Sequence, residues 1–178
     1  MDIGTQQSGP ARAGSIRMAS MSVLHLPRSV YRDLRAHGEE AWPHECCGAL
    51  LGRAIQGGGP DGWQVESLMR TTNARADSAH NRYEIAPADL AGIVLEARNR
   101  GLEIAGFYHS HPDHPAQPSS TDLAEAYWLG CSYVITEVAQ GRAALTNAFL
   151  LAGKTEEDKH FEPQTIQIED RSGDPHRA

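Results

Sequence analysis

Leu102-Glu103-Ile104-Ala105-Gly106-Phe107-Tyr108 runs directly into His109-Ser110-His111-Pro112-Asp113-His114-Pro115-Ala116-Gln117-Pro118-Ser119-Ser120-Thr121-Asp122. The first seven residues form a mostly apolar run of strand length after Gly101, a natural helix stop. Pro112, Pro115 and Pro118 shape a loop, and Ser119-x-x-Asp122 has the form of a helix start, an N-cap serine with an acidic residue in the first turn. The stretch therefore reads as strand, loop, helix, with a histidine pair at the end of the strand and beyond. On extended backbone, residues i and i+2 point to the same side, so His109 and His111 can meet one ion without distortion. Two imidazoles and one carboxylate, Asp122, are the protein half of a catalytic zinc site, the fourth position being left to water. An isolated His-x-His is more often a pair of surface loop histidines, and Ser-x-x-Asp alone is a common cap. It is their combination that carries weight.

Working outward, the core begins at Leu24. Pro27 suits the first turn of a helix whose apolar face is Val30, Leu34 and Ala41, ending at Trp42-Pro43. Cys46 to Leu51 is a small-residue apolar run closed by Gly52, and Trp63 to Met69 alternates. Joined through the turn at Gly57 to Gly62, the two form a hairpin. Pro87 opens the clearest helix, with Leu90, Ile93, Val94 and Ala97 on one face. A helix over about Ser120–Leu129 and strands near Ser132–Val138, Ala143–Leu151 and Thr165–Ile168 complete the series. The expected class is α/β, a mixed central β-sheet flanked by helices. Residues 1–22, rich in Gly, Ser, Gln and Ala, read as a disordered leader, with Met18 and Met21 leaving a later start open. Residues 23–169 read as one domain and 170–178 as a flexible tail.

The 178 residues suffice for one domain with a real core. The net charge of -7, from 16 basic and 23 acidic side chains, argues against nucleic acid or an anionic membrane as partner. Three cysteines, Cys46, Cys47 and Cys131, are too few for a disulfide framework and point to a reducing compartment. No apolar run reaches transmembrane length, and the basic N-terminus lacks a secretory apolar stretch. The expected location is the cytoplasm.

Glu45, in His44-Glu45-Cys46-Cys47-Gly48, is the candidate general base, since a zinc hydrolase needs a carboxylate that does not ligate but takes a proton from the attacking water. Alone it would read as a solvated strand edge. Gly48 stands where a zincin would have its second histidine. Pro-Cys-x-x-Cys of the zinc deaminases is absent, as are Gly-x-Ser-x-Gly, Walker A and Gly-x-Gly-x-x-Gly. Cys46 and Cys47 are read as core packing.

Glu45 followed by Gly48, then His109-Ser110-His111-Pro112, then Ser119-x-x-Asp122, closely resembles the JAMM motif of the MPN-domain metalloproteases over about residues 23 to 150. Tyr108-His109-Ser110-His111-Pro112-Asp113-His114-Pro115 is most similar to the bacterial branch. The resemblance implies an MPN, cytidine-deaminase-like fold. It implies one zinc ion held by His109, His111 and Asp122, Glu45 as general base, and Ser119 as oxyanion donor with Ser120 as the fallback in register. Ser110 is read as structural. Asp113, His114 and Tyr83 are weaker candidates to meet substrate, together with the loop around His80, Asn81 and Arg82. By spacing alone, another divalent ion fits as well as zinc.

Members of that family cut after the C-terminal Gly-Gly of ubiquitin or ubiquitin-like proteins. Past Asp122 only Cys131 and His160 precede the tail, too few for the second zinc cluster of some eukaryotic members. The resemblance therefore implies the minimal bacterial type. Its partner would be a small ubiquitin-like sulfur carrier with a Gly-Gly tail, from which hydrolysis frees cysteine or trims an immature end. Two other readings stand beside it. One is the same chemistry on a different isopeptide, deubiquitinase-like, or on a peptidoglycan-like amide; the other is a non-catalytic MPN scaffold. A channel that rejects any Cβ would select Gly-Gly, with main-chain pairing to a sheet edge supplying affinity. The oligomeric state is left open by the sequence.

Overall fold

The computed structural model describes residues 22–55, 62–75 and 79–170. The leader expected over 1–22, apart from Ser22, lies outside the described residues. So do most of the Gly57 to Gly62 turn and the tail expected over 170–178, apart from Asp170. In chain order the elements are β1 (Val23–Pro27), α1 (Arg28–Ala41), β2 (Cys47–Ala54), β3 (Gly62–Thr71) and α2 (Pro87–Asn99). β4 (Glu103–Pro112), α3 (Ser120–Glu125), β5 (Ser132–Ala139), β6 (Arg142–Ala152) and β7 (His160–Glu169) follow.

Strand β4 is buried at every position after Glu103, because both of its faces are covered. Ala105 and Tyr108 belong to one core with Leu24, Leu26, Val30, Leu34, Leu50, Val65 and Val134. Ile104 and Phe107 belong to another with Ala49, Leu51, Ile93, Ala97, Tyr133 and Leu151. The two-residue period of a strand sends alternate side chains to opposite faces. A register shift where Leu50 pairs with Gly106 and Leu51 with Ile104 moves that alternation by one residue, and a strand covered on both sides reads as continuously apolar.

Helix α1 serves the first face. It buries Val30, Leu34 and Gly38, one turn apart each, and packs against β1, β3, β4, β5, β6 and β7. An element that touches six of seven strands sits on the concave side of the sheet. Gly38 permits the closest approach: a Cβ there would stand 3.0 Å from Val138 Cγ2 and 3.3 Å from the Ser110 Cβ. Helix α2 serves the second face through Ile93 and Ala97 and packs on β4.

The expected mixed central sheet flanked by helices, of the MPN or cytidine-deaminase-like kind, is corrected by the strand order. The sheet closes on itself as β1-β3-β2-β4-β5-β6-β7, a barrel of seven strands. The closing element is β1, whose residues before Pro27 are given no element in the sequence reading. It pairs parallel with β3 at one edge and parallel with β7 at the other. Without it, β3 and β7 would both present unpaired backbone groups to water. Leu24 and Leu26, both fully buried, are the inward residues of this strand, and each such leucine contributes about 1.5–3 kcal/mol by leaving water. His25, between them, reaches Glu169 of β7 at 2.8 Å, and Arg28 pairs with Asp170 just beyond.

Helix α3 is the second correction. The sequence reading carries it to Leu129, but it ends at Glu125. Lys159 Nζ donates to the carbonyls of Ala124 at 3.1 Å and Ala126 at 2.8 Å. Those acceptors are thus satisfied from β7's approach rather than by another helical turn. Trp128 N then donates to the Tyr133 hydroxyl at 3.3 Å, fixing the return into β5.

Candidate metal centre

The register of β2 on β4 assembles one side of the site. Cys47 pairs with His109, and one residue along, Ser110 N donates to Cys46 O at 3.2 Å while Cys46 N donates to the Ser110 hydroxyl at 2.9 Å. Continuing this register sets Glu45 opposite His111. Directly opposed residues of an antiparallel pair share a face, so Glu45, Cys47, His109 and His111 lie on one side and Cys46, Tyr108 and Ser110 on the other. Gly48 makes the close pairing possible, since a Cβ there would stand 2.3 Å from Met69 O and 2.5 Å from the Tyr108 ring.

Asp122 arrives from α3. Ser119 is the N-cap, and the cap is reciprocal: its hydroxyl accepts from Asp122 N at 3.1 Å, and its own N–H donates to Asp122 Oδ2 at 2.6 Å. This leaves Oδ1 turned to His109 Nε2 at 3.3 Å, with Oδ2 at 3.6 Å from His111 Nε2. The two imidazole Nε2 atoms are 3.0 Å apart. His109, His111 and Asp122 are the one group of three metal-ligand side chains converging among the described residues.

These atoms fit a divalent cation. The edge of a tetrahedron with bonds of 2.0–2.1 Å is ~3.3–3.4 Å, close to the separation of the two Nε2 atoms and to that of His109 Nε2 from Asp122 Oδ1. His111 Nδ1 stands 2.8 Å from Pro115 O, and a carbonyl only accepts, so Nδ1 carries the proton. In its neutral form His111 would therefore offer the lone pair of Nε2 at the point where His109 and the Asp122 carboxylate also converge. Two imidazoles and a carboxylate are a donor set for zinc with one position open.

Without a cation, hydrogen bonds couple the two imidazoles to Asp122. Burial lowers the proton affinity of His109 and outweighs the help of Asp122. Burial acts the same way on His111, but hydrogen bonds to Asp122 and Pro115 prevail and raise it. Burial of Asp122 is overcome by hydrogen bonds from His109, His111 and Ser119, which hold the carboxyl well below the usual carboxylate range. Glu45 is 5 % exposed, and burial pushes its carboxyl from 4.5 up to about 8; His111 opposes this, while Asp122 and Glu125 add to it.

Tyr83 lies beside the cluster, its ring stacked on His109 with centroids 4.5 Å apart and planes at 24°. It also forms part of a cavity of about 320 Å³ with Leu90, Phe107, Tyr127, Trp128 and Tyr133. Asp113 is occupied otherwise. Its carboxylate accepts from Trp42 Nε1 at 3.2 Å and Gln140 N at 2.7 Å, and its φ is +54°. His114 and His80 are exposed, as is Ser120, the first residue of α3. One residue near the site is missed by sequence reasoning. Asn73 makes hydrogen bonds to the carbonyls of Glu45 and Arg82, and only its place among turn-forming residues could have singled it out.

Among known proteins, residues 27–152 match the family described as prokaryotic homologs of the JAB domain. A desampylase of Haloferax volcanii is 33% identical over 93 residues, 52% of this chain and 62% of that protein. A protein of Thermus thermophilus named as a probable TtuB-protein conjugate cleaving protease is 32% identical over 106 residues, 60% of this chain and 65% of its own length. The chain thus spans less than two thirds of either relative. The solution structure of a Desulfitobacterium hafniense protein superposes with a TM-score of 0.69 at 26% identity, covering 83% of this chain and 94% of that one. A Salinibacter ruber protein gives 0.59 at 36% identity, covering 83% and 92%.

Proposed function

This chain belongs to the family of prokaryotic homologs of the JAB domain, and from that membership we propose that it is a zinc metallopeptidase. Its bond would be the amide or isopeptide after the C-terminal Gly-Gly of a small ubiquitin-like sulfur carrier, so that hydrolysis releases cysteine or trims the carrier's tail. The observation that carries this reading is the convergence of His109, His111 and Asp122 within 3.0 to 3.6 Å, next to a buried glutamate. The names of the two relatives, one a desampylase and the other a conjugate-cleaving protease, support the substrate class.

His109, His111 and Asp122 would hold the ion, which when bound supplies Lewis acidity and lowers the pKa of a water to ~7. Glu45 takes the proton of the attacking water and returns it to the leaving amine. Buried beside the cluster and not among its ligands, the Glu45 carboxylate is placed to accept and release that proton. The Ser119 hydroxyl accepts from Asp122 N, and its one O–H donor, which supports the Asp122 carboxylate, can turn to the oxyanion of the tetrahedral intermediate. Tyr83 and His114 would border the scissile segment, with Asp113 shaping the loop of His114 through Trp42 and Gln140. The three cysteines are free and buried, and among the described residues no helix is long and apolar enough to cross a membrane. Both facts support work in the cytoplasm.

Gly→Ala substitutions in the carrier tail test the substrate assignment. Cleavage should fall when either tail glycine gains a Cβ, and undiminished turnover of the alanine variants would contradict a Gly-Gly channel.

A further inference from the structure

His109 lacks the partner that ordinarily orients a metal-binding imidazole. Such a histidine usually donates its other ring nitrogen to a carbonyl or carboxylate. His111 does so at Pro115, but Nδ1 of His109 is buried without a hydrogen-bond partner among the described residues. What His109 has is Tyr83, laid over its ring at 4.5 Å.

The segment that delivers Tyr83 is irregular, touching the sheet through the isolated bridge of Asn73 with Ile85. Backbone bonds hold it from Glu45 N to Ala79 O at 2.6 Å and from Ala74 N to Glu84 O at 2.9 Å, with an Arg75–Glu84 ion pair at 3.2 Å, and the Asn73 side chain adds four more. The amide nitrogen donates to Arg82 O at 2.9 Å and Glu45 O at 3.1 Å. The amide oxygen accepts from Arg75 N at 3.0 Å and Glu84 N at 3.1 Å. Both donors and both acceptor sites are thus used, and the partners fix which end is nitrogen. Arg82 and Glu84 are the residues on either side of Tyr83. One side chain therefore ties the loop that carries Tyr83 to the segment that carries Glu45.

We propose that Asn73 and Tyr83 act together as a clamp on His109, in which an aromatic face takes the place of the missing hydrogen bond. This rests on the reading of His109, His111 and Asp122 as metal ligands. Both are positioning residues, and neither needs to touch substrate for this role. The ring face matters and the hydroxyl does not. Asn73→Asp keeps the shape but turns two donors into acceptors aimed at carbonyls, so the loop should release Tyr83.

The test is zinc affinity, by competition with a chelator, and the visible absorption of the cobalt-loaded protein, for wild type, Tyr83→Phe, Tyr83→Leu and Asn73→Asp. Circular dichroism of the metal-free proteins controls for folding. Tyr83→Phe should bind within about twofold of wild type, whereas Tyr83→Leu and Asn73→Asp should each lose ~10-fold or more and alter the cobalt bands. The double variant Tyr83→Leu with Asn73→Asp should be no worse than the poorer single one, since both disable one device. Wild-type affinity and spectrum in Tyr83→Leu would overturn the clamp, as would a loss in Tyr83→Phe equal to that in Tyr83→Leu. Should Tyr83→Leu fail to fold, Asn73→Asp decides: unchanged binding overturns the clamp. No binding of either metal by wild type would instead overturn the metal site on which it rests.

Discussion

The Nε2 atoms of His109 and His111 face each other at 3.0 Å on a strand that otherwise forms a wall of two cores. With Nδ1 of His111 engaged at Pro115, the two Nε2 atoms and the Asp122 carboxylate form a donor set suited to a cation at their centre. The expected stoichiometry, by native mass spectrometry, is one zinc per chain. Zinc at 100 times its Kd should stabilise the fold by about 2.7 kcal/mol. His109→Ala should lower metal affinity by at least ~100-fold and erase the shift in Tm. Full occupancy in His109→Ala would contradict its place as a ligand.

Glu45 gives a prediction whose sign depends on pH. Its folded pKa lies above the ordinary value of 4.5, at about 8, so the metal-free fold binds this proton more tightly than the unfolded chain does. The fold is therefore least penalised below about pH 4.5 and loses stability as pH rises from there to about 8. Glu45→Gln, which carries no charge, should be more stable than wild type by on the order of a few kcal/mol at pH 8 in chelator, and equal to it at pH 4. In the metal-loaded protein the same change should keep zinc and reduce turnover by ~10²–10⁴-fold. Turnover within tenfold of wild type would remove Glu45 from the role of base.

Ser119 joins a structural and a chemical duty. Ser119→Ala should cost about 0.5–2 kcal/mol through the lost cap. It should also lower kcat by ~10²–10³-fold if the hydroxyl donates to the oxyanion. Ser119→Ala with lowered Tm and unchanged kcat would leave it as a cap alone.

Gly48 offers a test of the barrel itself. Its Cβ would meet Met69 O at 2.3 Å, a backbone atom that cannot move aside as a side-chain end could. Gly48→Ala should cost about 1–3 kcal/mol or more, read as a fall in the denaturation midpoint.

The candidate ligands were legible in the sequence because they are local, whereas Glu45 reaches them only through the pairing of β2 with β4. His109 and His111 are two apart on one strand, and the Ser119 and Asp122 cap is a four-residue pattern. The hairpin and the helix after Pro87 were legible for the same reason. Closure of the barrel was not, because β1 is only five residues long and Leu24-x-Leu26 gives too short an alternation to separate from the helix that follows. Its strand character comes from partners about 40 and 140 residues away along the chain. Asn73 was missed for a like reason, as its importance lies in contacts to Glu45 and Arg82 rather than in its neighbours. The early end of α3 depends on Lys159, far along the chain.

The most direct test of the central claim is intact-mass spectrometry of Gly-Gly-tailed carriers, each extended by a C-terminal cysteine or dipeptide. They are incubated with the zinc-loaded protein with and without chelator. The account predicts a mass loss that ends at Gly-Gly, disappears with chelator and is absent in His109→Ala. No loss from any carrier, with one zinc bound per chain, would contradict it.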